Sequence, residues 1–266
     1  MSSGDNGQRT TKASGTSSTN RTWKIIDLRQ AGILADRYLD TILGDMRNTL
    51  LLLVQAPLIA ALIVLRWREV HATDSLFFIF SLTSVWFGCI NASREVVKER
   101  RIFMRERMIN LQVGAYLFSK LRILAILSFI QCLTLIGIVH YYVHLDNLAL
   151  FHFLNAYLTS LAGTTLGLLI SSWAGSVDKA VGLVPLVIIP QILFSKFVLP
   201  AEYMTGAATW VEKLMIVRWS YQVFEQLRAA SPDWWKLALG IGFQMVFLLV
   251  FFLLAVYLLR GQNPLE

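Results

Sequence analysis

Ionised residues are scarce in this sequence: Asp, Glu, Lys and Arg make up only 15% of its 266 residues, whereas hydrophobic residues make up 56%. A soluble domain usually carries about 25% charged residues. Acidic side chains in particular are almost absent from the interiors of the long apolar runs. Because a proton-coupled carrier needs ionisable groups inside the membrane, this shortage disfavours that class of transporter.

Cysteine is nearly absent too. The two cysteines, Cys89 and Cys132, both lie within apolar runs, which argues against a disulfide framework and predicts packing roles. Residues 1–20 have no apolar core and therefore no signal peptide; their Ser, Thr and Gly content predicts a disordered tail or linker. The sequence also has no G-x-x-x-x-G-K-[ST] loop, so we predict no nucleotide site on this chain.

Catalytic and metal-binding constellations are missing as well. His140 and His144 have the spacing of two metal ligands, and His152 follows, but only Asp146 is available to complete the shell, so contact with lipid headgroups is favoured. Ser128 and His140 lie about 18 Å apart along one helix, too far for a nucleophile and its base. We predict no catalytic residue and no metal.

What the sequence does contain is six apolar runs, each close to the roughly 20 residues that a helix needs to cross a bilayer. A soluble domain rarely has even one such run. The runs predict an all-α, polytopic membrane protein with six transmembrane helices in residues 48–260. They are Asn48–Trp67, Ser75–Ala92, Ile123–Val143, Leu148–Trp173, Ala180–Leu199 and Leu237–Leu259.

The net charge of +7 is explained by topology rather than by nucleic-acid binding. With the N-terminus in the cytoplasm and alternation at each span, 17 of the 24 Lys and Arg residues fall inside and seven outside. This inside excess of positive charge, with an even number of spans, predicts a multi-pass protein of the cell membrane with both termini cytoplasmic.

Residues 21–47, before the first span, predict an amphipathic connecting helix, because apolar residues recur there at helical spacing. Such a helix would lie on the inner membrane surface, contact a partner protein, or do both. The apolar positions are Leu28, Ala31, Ala35, Tyr38, Ile42 and Met46.

The segment 94–107, between the second and third spans, is the most unusual part of the chain. Drawn as one helix, it has a basic stripe, a neighbouring acidic stripe and an apolar face. A solvated extension of the second span would explain the charges, but the order of elements favours a rigid coupling helix that a cytoplasmic partner pushes. The coupling residues are predicted to be Arg94, Glu95, Lys98, Glu99, Arg100, Arg101, Arg105 and Glu106.

This segment resembles the stretch after the second span in the membrane domains of ABC transporters of the G subfamily. The resemblance extends from about Trp23 to Leu259 through the same order of connecting helix, spans and a long external loop at 195–236. The sequence departs from many relatives in lacking an ATP-binding domain and cysteines in that loop. The residues that carry the resemblance are Asn91, Ala92, Glu95, Glu99, Arg100, Phe103, Arg105, Glu106, Arg107 and Tyr116.

The resemblance implies that two membrane domains pair, as an expected homodimer, and that ATP and Mg bind to a partner ATP-binding domain or subunit. It also implies a substrate path between the second and fifth spans. On those spans, helical spacing groups Phe80, Thr83 and Phe87 on one face and Val184, Ile188 and Gln191 on another, although packing or lipid contact explains both faces equally well. Leu193 and Phe194 are the candidate external gate.

The favoured function is therefore the membrane subunit of an ATP-driven exporter of hydrophobic or amphipathic substrates. Two alternatives stay open: a permease for lipid-linked glycan or polysaccharide, and a non-transporting membrane adaptor that uses the charged segment to recruit partners.

Overall fold

The computed structural model describes residues 28–70, 73–109, 111–143, 145, 148–198 and 206–262, and all regular secondary structure within them is helical. The predicted tail 1–20 and the start of the connecting helix, 21–27, lie outside the described residues. The helices are α1 (Leu28–Gly44), α2 (Met46–Trp67), α3 (Asp74–Ala92), α4 (Arg100–Arg107), α5 (Val113–Val143), α6 (Ala149–Trp173), α7 (Val177–Leu193), α8 (Ala207–Lys213), α9 (Ile216–Arg228) and α10 (Trp234–Gly261), with a 3-10 helix at Val97–Glu99.

Five of the described helices are long and apolar enough to cross a membrane: α2, α3 with its continuation to Arg107, α5, α6 and α10. The predicted fifth span is α7, which ends at Leu193 rather than Leu199 and has 17 residues. At 1.5 Å per residue, α7 is about 25 Å long and falls short of the bilayer core of about 30 Å. It also contains Pro185 and Pro190, which remove backbone donors from its hydrogen-bond ladder.

The centre of the bundle is the contact between α3 and α6, which requires glycine. A Cβ atom on Gly88 would lie 1.9 Å from the carbonyl oxygen of Ser160, and one on Gly163 would lie 2.6 Å from the carbonyl oxygen of Val85. Gly167 meets the backbone of α3 in the same way, one turn further along α6. Small residues let two helices approach until their backbones touch, which is how van der Waals packing holds helices together in lipid.

A buried polar cluster fixes α9, which belongs to the predicted external loop, to this centre. The side-chain amide of Asn155 on α6 donates to the backbone carbonyl of Ser220 on α9 at 3.0 Å, and that of Gln244 on α10 donates to Asn155 Oδ1 at 3.0 Å. Thr159 contacts Gln244 Oε1 at 2.8 Å, and the Ser220 hydroxyl donates to Ser81 on α3 at 3.0 Å. Four helices are thereby joined by hydrogen bonds that lipid cannot replace.

Candidate coupling segment and transport path

The segment 94–107 does not form the single helix that the charge stripes predict. After Ala92 the chain turns, forms the 3-10 helix Val97–Glu99 and then enters α4. The backbone N–H groups of Val96 and Val97 both donate to the hydroxyl of Ser171 on α6, at 3.0 and 3.1 Å. Because a side chain of another helix takes these two donors, the backbone leaves the α-helical ladder at this point.

All three acidic side chains of the segment are engaged by partners within the chain. Glu95, which is 3% exposed, accepts a hydrogen bond of 2.5 Å from the hydroxyl of Tyr38 on α1. Burial, and then the Glu95 carboxylate, raise the pKa of Tyr38 well above its usual value, so the hydroxyl stays a donor. Glu106 pairs with Arg37, also on α1. Two of the three acidic residues therefore bind the connecting helix.

The third acidic residue, Glu99, pairs with Lys120 on α5 at 2.7 Å. Sequence reasoning missed Lys120, which is only 1% exposed and whose ammonium group lies 3.9 Å from the ring centroid of Tyr38. The sequence could have indicated this site, because Lys120 lies near the start of a long apolar helix. A lysine that is buried in such a position needs an acidic partner. A cavity of about 250 Å³ adjoins the pair, lined by Leu34, Arg37, Tyr38, Thr41, Lys98, Glu99, Ile102, Tyr116, Ser119 and Lys120.

Three arginines of the segment donate hydrogen bonds to the ends of other helices. Arg94 donates to the side chain of Asn48 on α2, and Arg100 donates to the carbonyl oxygen of Ala174, just past α6, at 2.8 Å. Arg107 donates to the carbonyl oxygen of Leu259 at 2.8 Å and also to two later carbonyls at the end of α10. The segment thus has polar bonds to α1, α2, α5, α6 and α10.

A different set of side chains on the segment faces outward. Among the predicted coupling residues, Lys98, Arg101 and Arg105 are exposed, and within the described residues Arg101 and Arg105 form no ion pair. Ile102, Met108 and Ile109 are exposed beside them. These side chains form a basic and apolar surface at the end of the bundle, which we call the outer face of α4.

The predicted path residues lie inside the protomer. Phe80 and Phe87 on α3 are completely buried in a cluster that also contains Phe224 of α9. Val184 and Ile188 on α7 are buried in a different cluster, with Val85 and Cys89 of α3. The two predicted sets of side chains therefore belong to different clusters of buried residues within one chain.

The remaining path residues are Thr83 in the middle of α3 and Gln191 on α7, and the gate residues lie at the end of α7. Thr83 is buried, and the side chain of Gln191 accepts the backbone N–H of Val217 on α9 at 3.1 Å. Leu193 is 53% exposed, and Phe194 follows the last turn and is half-buried.

An aromatic group that sequence reasoning missed stands beside this end of α7. Phe197 lies 4.9 Å from the ring of Phe78 on α3 and 5.3 Å from that of Tyr221 on α9. Only tertiary contact brings these three rings together, so helical spacing could not reveal them.

A comparison with known families decides what this bundle is. The family model described as ABC-2 type transporter matches residues 29–227, well over half of the chain. The chain belongs to the ABC-2 type transporter family. Comparison with curated proteins finds no match. This ABC-2 protein is therefore a multi-pass membrane subunit of an ABC-type transporter, and the matched range contains the segment 94–107 and every predicted path residue.

Proposed function

We propose that this ABC-2 protein is the membrane subunit of an ATP-driven exporter of hydrophobic or amphipathic substrates, similar to the G subfamily. It acts as a homodimer in the cell membrane with both termini in the cytoplasm. ATP and Mg bind to a partner domain or subunit, and this chain holds neither. The single observation that carries the proposal is the segment 94–107, because it bonds to five helices on one side and presents an open surface on the other.

The two sides of the segment have different roles in coupling. Arg101, Ile102 and Arg105 contact the ATP-binding partner, whose docking surface is acidic around an apolar centre. Glu95, Glu99 and the backbone-bonded arginines transmit the resulting displacement to the bundle. Hydrogen bonds to charged groups are stronger than those between neutral groups. A displacement of α4 by the partner therefore moves the attached helix ends together with the segment, instead of bending the segment alone.

The substrate path runs between α3 and α7 of the two copies. Leu186 and Ile189 on α7 are exposed, and Phe78 and Leu82 on α3 are half-buried against the cluster that contains Val184 and Ile188. The predicted residues lie one layer deeper and reach the substrate only when the helices part. They are Phe80, Thr83, Phe87, Val184, Ile188 and Gln191, with Leu193 and Phe194 closing the path at its outer end.

Pairing with the partner gives the direct test. A candidate P-loop ATPase is co-expressed with this chain, and the amount that co-purifies is measured. Reversing charge in Arg101→Glu with Arg105→Glu should abolish co-purification, whereas Arg47→Glu, an exposed cation at the same end of the bundle, should leave it unchanged. Normal co-purification of the double variant would show that the outer face of α4 is not the docking surface.

A further inference from the structure

A cleft of about 750 Å³ opens between α2 and α5, at the end of the bundle opposite the segment 94–107. Its wall on α2 is a single helical face that begins at Pro57 and continues through Ala61, Val64 and Leu65. Ile138 and Tyr142 form the wall on α5. The lower part of the cleft is therefore apolar and lies within the spanning region.

The mouth of the same cleft is charged. Arg66, Arg68 and Glu69 line it, all three are exposed, and they form no ion pair with any described residue. The Arg66 guanidinium lies 5.5 Å from the ring centroid of Trp67. Trp67 and the exposed Tyr142 are the aromatic side chains that mark the boundary between lipid and water. A ligand that fills this cleft must be apolar below that boundary and ionic above it.

We propose that the cleft binds one phospholipid whose headgroup carries both a phosphate and a protonated primary amine. Its acyl chain lies against Ala61 and Leu65, its phosphate accepts hydrogen bonds from Arg66 and Arg68, and its ammonium group donates to Glu69. The carboxylate discriminates between headgroups because it repels a headgroup with net negative charge. It also has no N–H to accept from a quaternary amine. The volume is within the usual range of about 300–1,000 Å³ for ligand sites.

Native mass spectrometry of the purified full chain tests this assignment. The protein is exposed to equal amounts of phosphatidylethanolamine, phosphatidylglycerol and phosphatidylcholine with identical acyl chains. Retained phosphatidylethanolamine should exceed each of the others about tenfold, the effect of one charge-assisted hydrogen bond. Ala61→Trp should fill the cleft and remove this retention, whereas Leu62→Trp, on the adjacent exposed position of α2, should not.

Two sets of surface variants separate the headgroup contacts without touching the apolar wall. Arg66→Gln with Arg68→Gln should lower retention of all three lipids, and Glu69→Gln should remove the preference for phosphatidylethanolamine over phosphatidylglycerol. Lys213→Gln, an exposed cation on α8, is the matched control and should change nothing. Equal retention of the three lipids by the unaltered protein, or retention that survives both Ala61→Trp and the double arginine variant, would overturn the assignment.

Discussion

The buried pair of Glu99 and Lys120 predicts an asymmetry between one substitution and two. Glu99→Gln leaves the Lys120 ammonium group, which is 1% exposed, without its counter-ion. Breaking a buried ion pair from one side costs roughly 3–5 kcal/mol. Because the Glu99 side chain keeps 17% of its exposure, the lower end of this range, about 3 kcal/mol, applies.

Replacing both partners should restore most of that stability. Glu99→Gln with Lys120→Met removes both charges, and with them the free-energy cost of burying those charges away from water. Such replacements of a buried ion pair are often neutral or stabilising. A loss of about 3 kcal/mol corresponds to a fall in Tm of about 6–12 °C for a chain of this size. Thermal unfolding in detergent, followed by helix signal at a fixed scan rate, should therefore show a large fall for Glu99→Gln and a small change for the double variant.

The exposed pair of Lys236 and Asp233, with nitrogen and oxygen 3.6 Å apart, provides the control, and Lys236→Met should change Tm by no more than about 2 °C. The reasoning is refuted if the double variant is less stable than Glu99→Gln, because the charge of Lys120 would then not be the source of the cost. The same reasoning means that Glu99 is a poor position for testing coupling, since its loss disturbs the bundle itself.

Three further predictions follow from the packing and topology. Gly88→Ala places a Cβ atom against the Ser160 carbonyl oxygen and should abolish the yield of monodisperse protein, whereas Gly137→Ala, which meets nothing within 4 Å, should express normally. Gln244→Leu removes hydrogen bonds to Asn155 and Thr159, each of which contributes about 0.6 kcal/mol within a membrane. This substitution should lower Tm by about 2–5 °C, and an unchanged Tm would show that the polar cluster does not stabilise the protein. A cysteine at Gly206 should react with an impermeant thiol reagent added outside the cell and one at Arg101 should not, against a low background because Cys89 and Cys132 are buried; the reverse labelling would invert the proposed topology.

Sequence reasoning placed the ends of most spanning helices to within a few residues. The runs that become α2, α3 and α6 differ from the structure by at most two residues at each end, because the boundary between apolar and polar residues follows the thickness of the bilayer. The helix α5 begins at Val113, ten residues before the predicted span, because a helix can continue past the end of its apolar run. Lys120 lies in this extension and is buried against Glu99.

The candidate site was less predictable, because each side chain there has a partner that is distant in the sequence. Helical spacing groups Phe80, Thr83 and Phe87 on one face, but it does not say whether that face meets lipid, a second copy or the same chain. The hydroxyl of Ser171, which breaks the expected coupling helix at Val96 and Val97, is more than 70 residues away from them. Such contacts exist only once the bundle has assembled.

Substrate-stimulated ATP turnover tests the central claim most directly. The ABC-2 protein and its ATPase are reconstituted together in nanodiscs and supplied with a panel of amphipathic compounds. The single variants Arg101→Glu and Arg105→Glu are compared with Arg47→Glu. If the outer face of α4 receives the partner, each single variant should keep basal turnover and lose most of the stimulation, while Arg47→Glu keeps both. Full stimulation in the Arg101 and Arg105 variants would contradict the account.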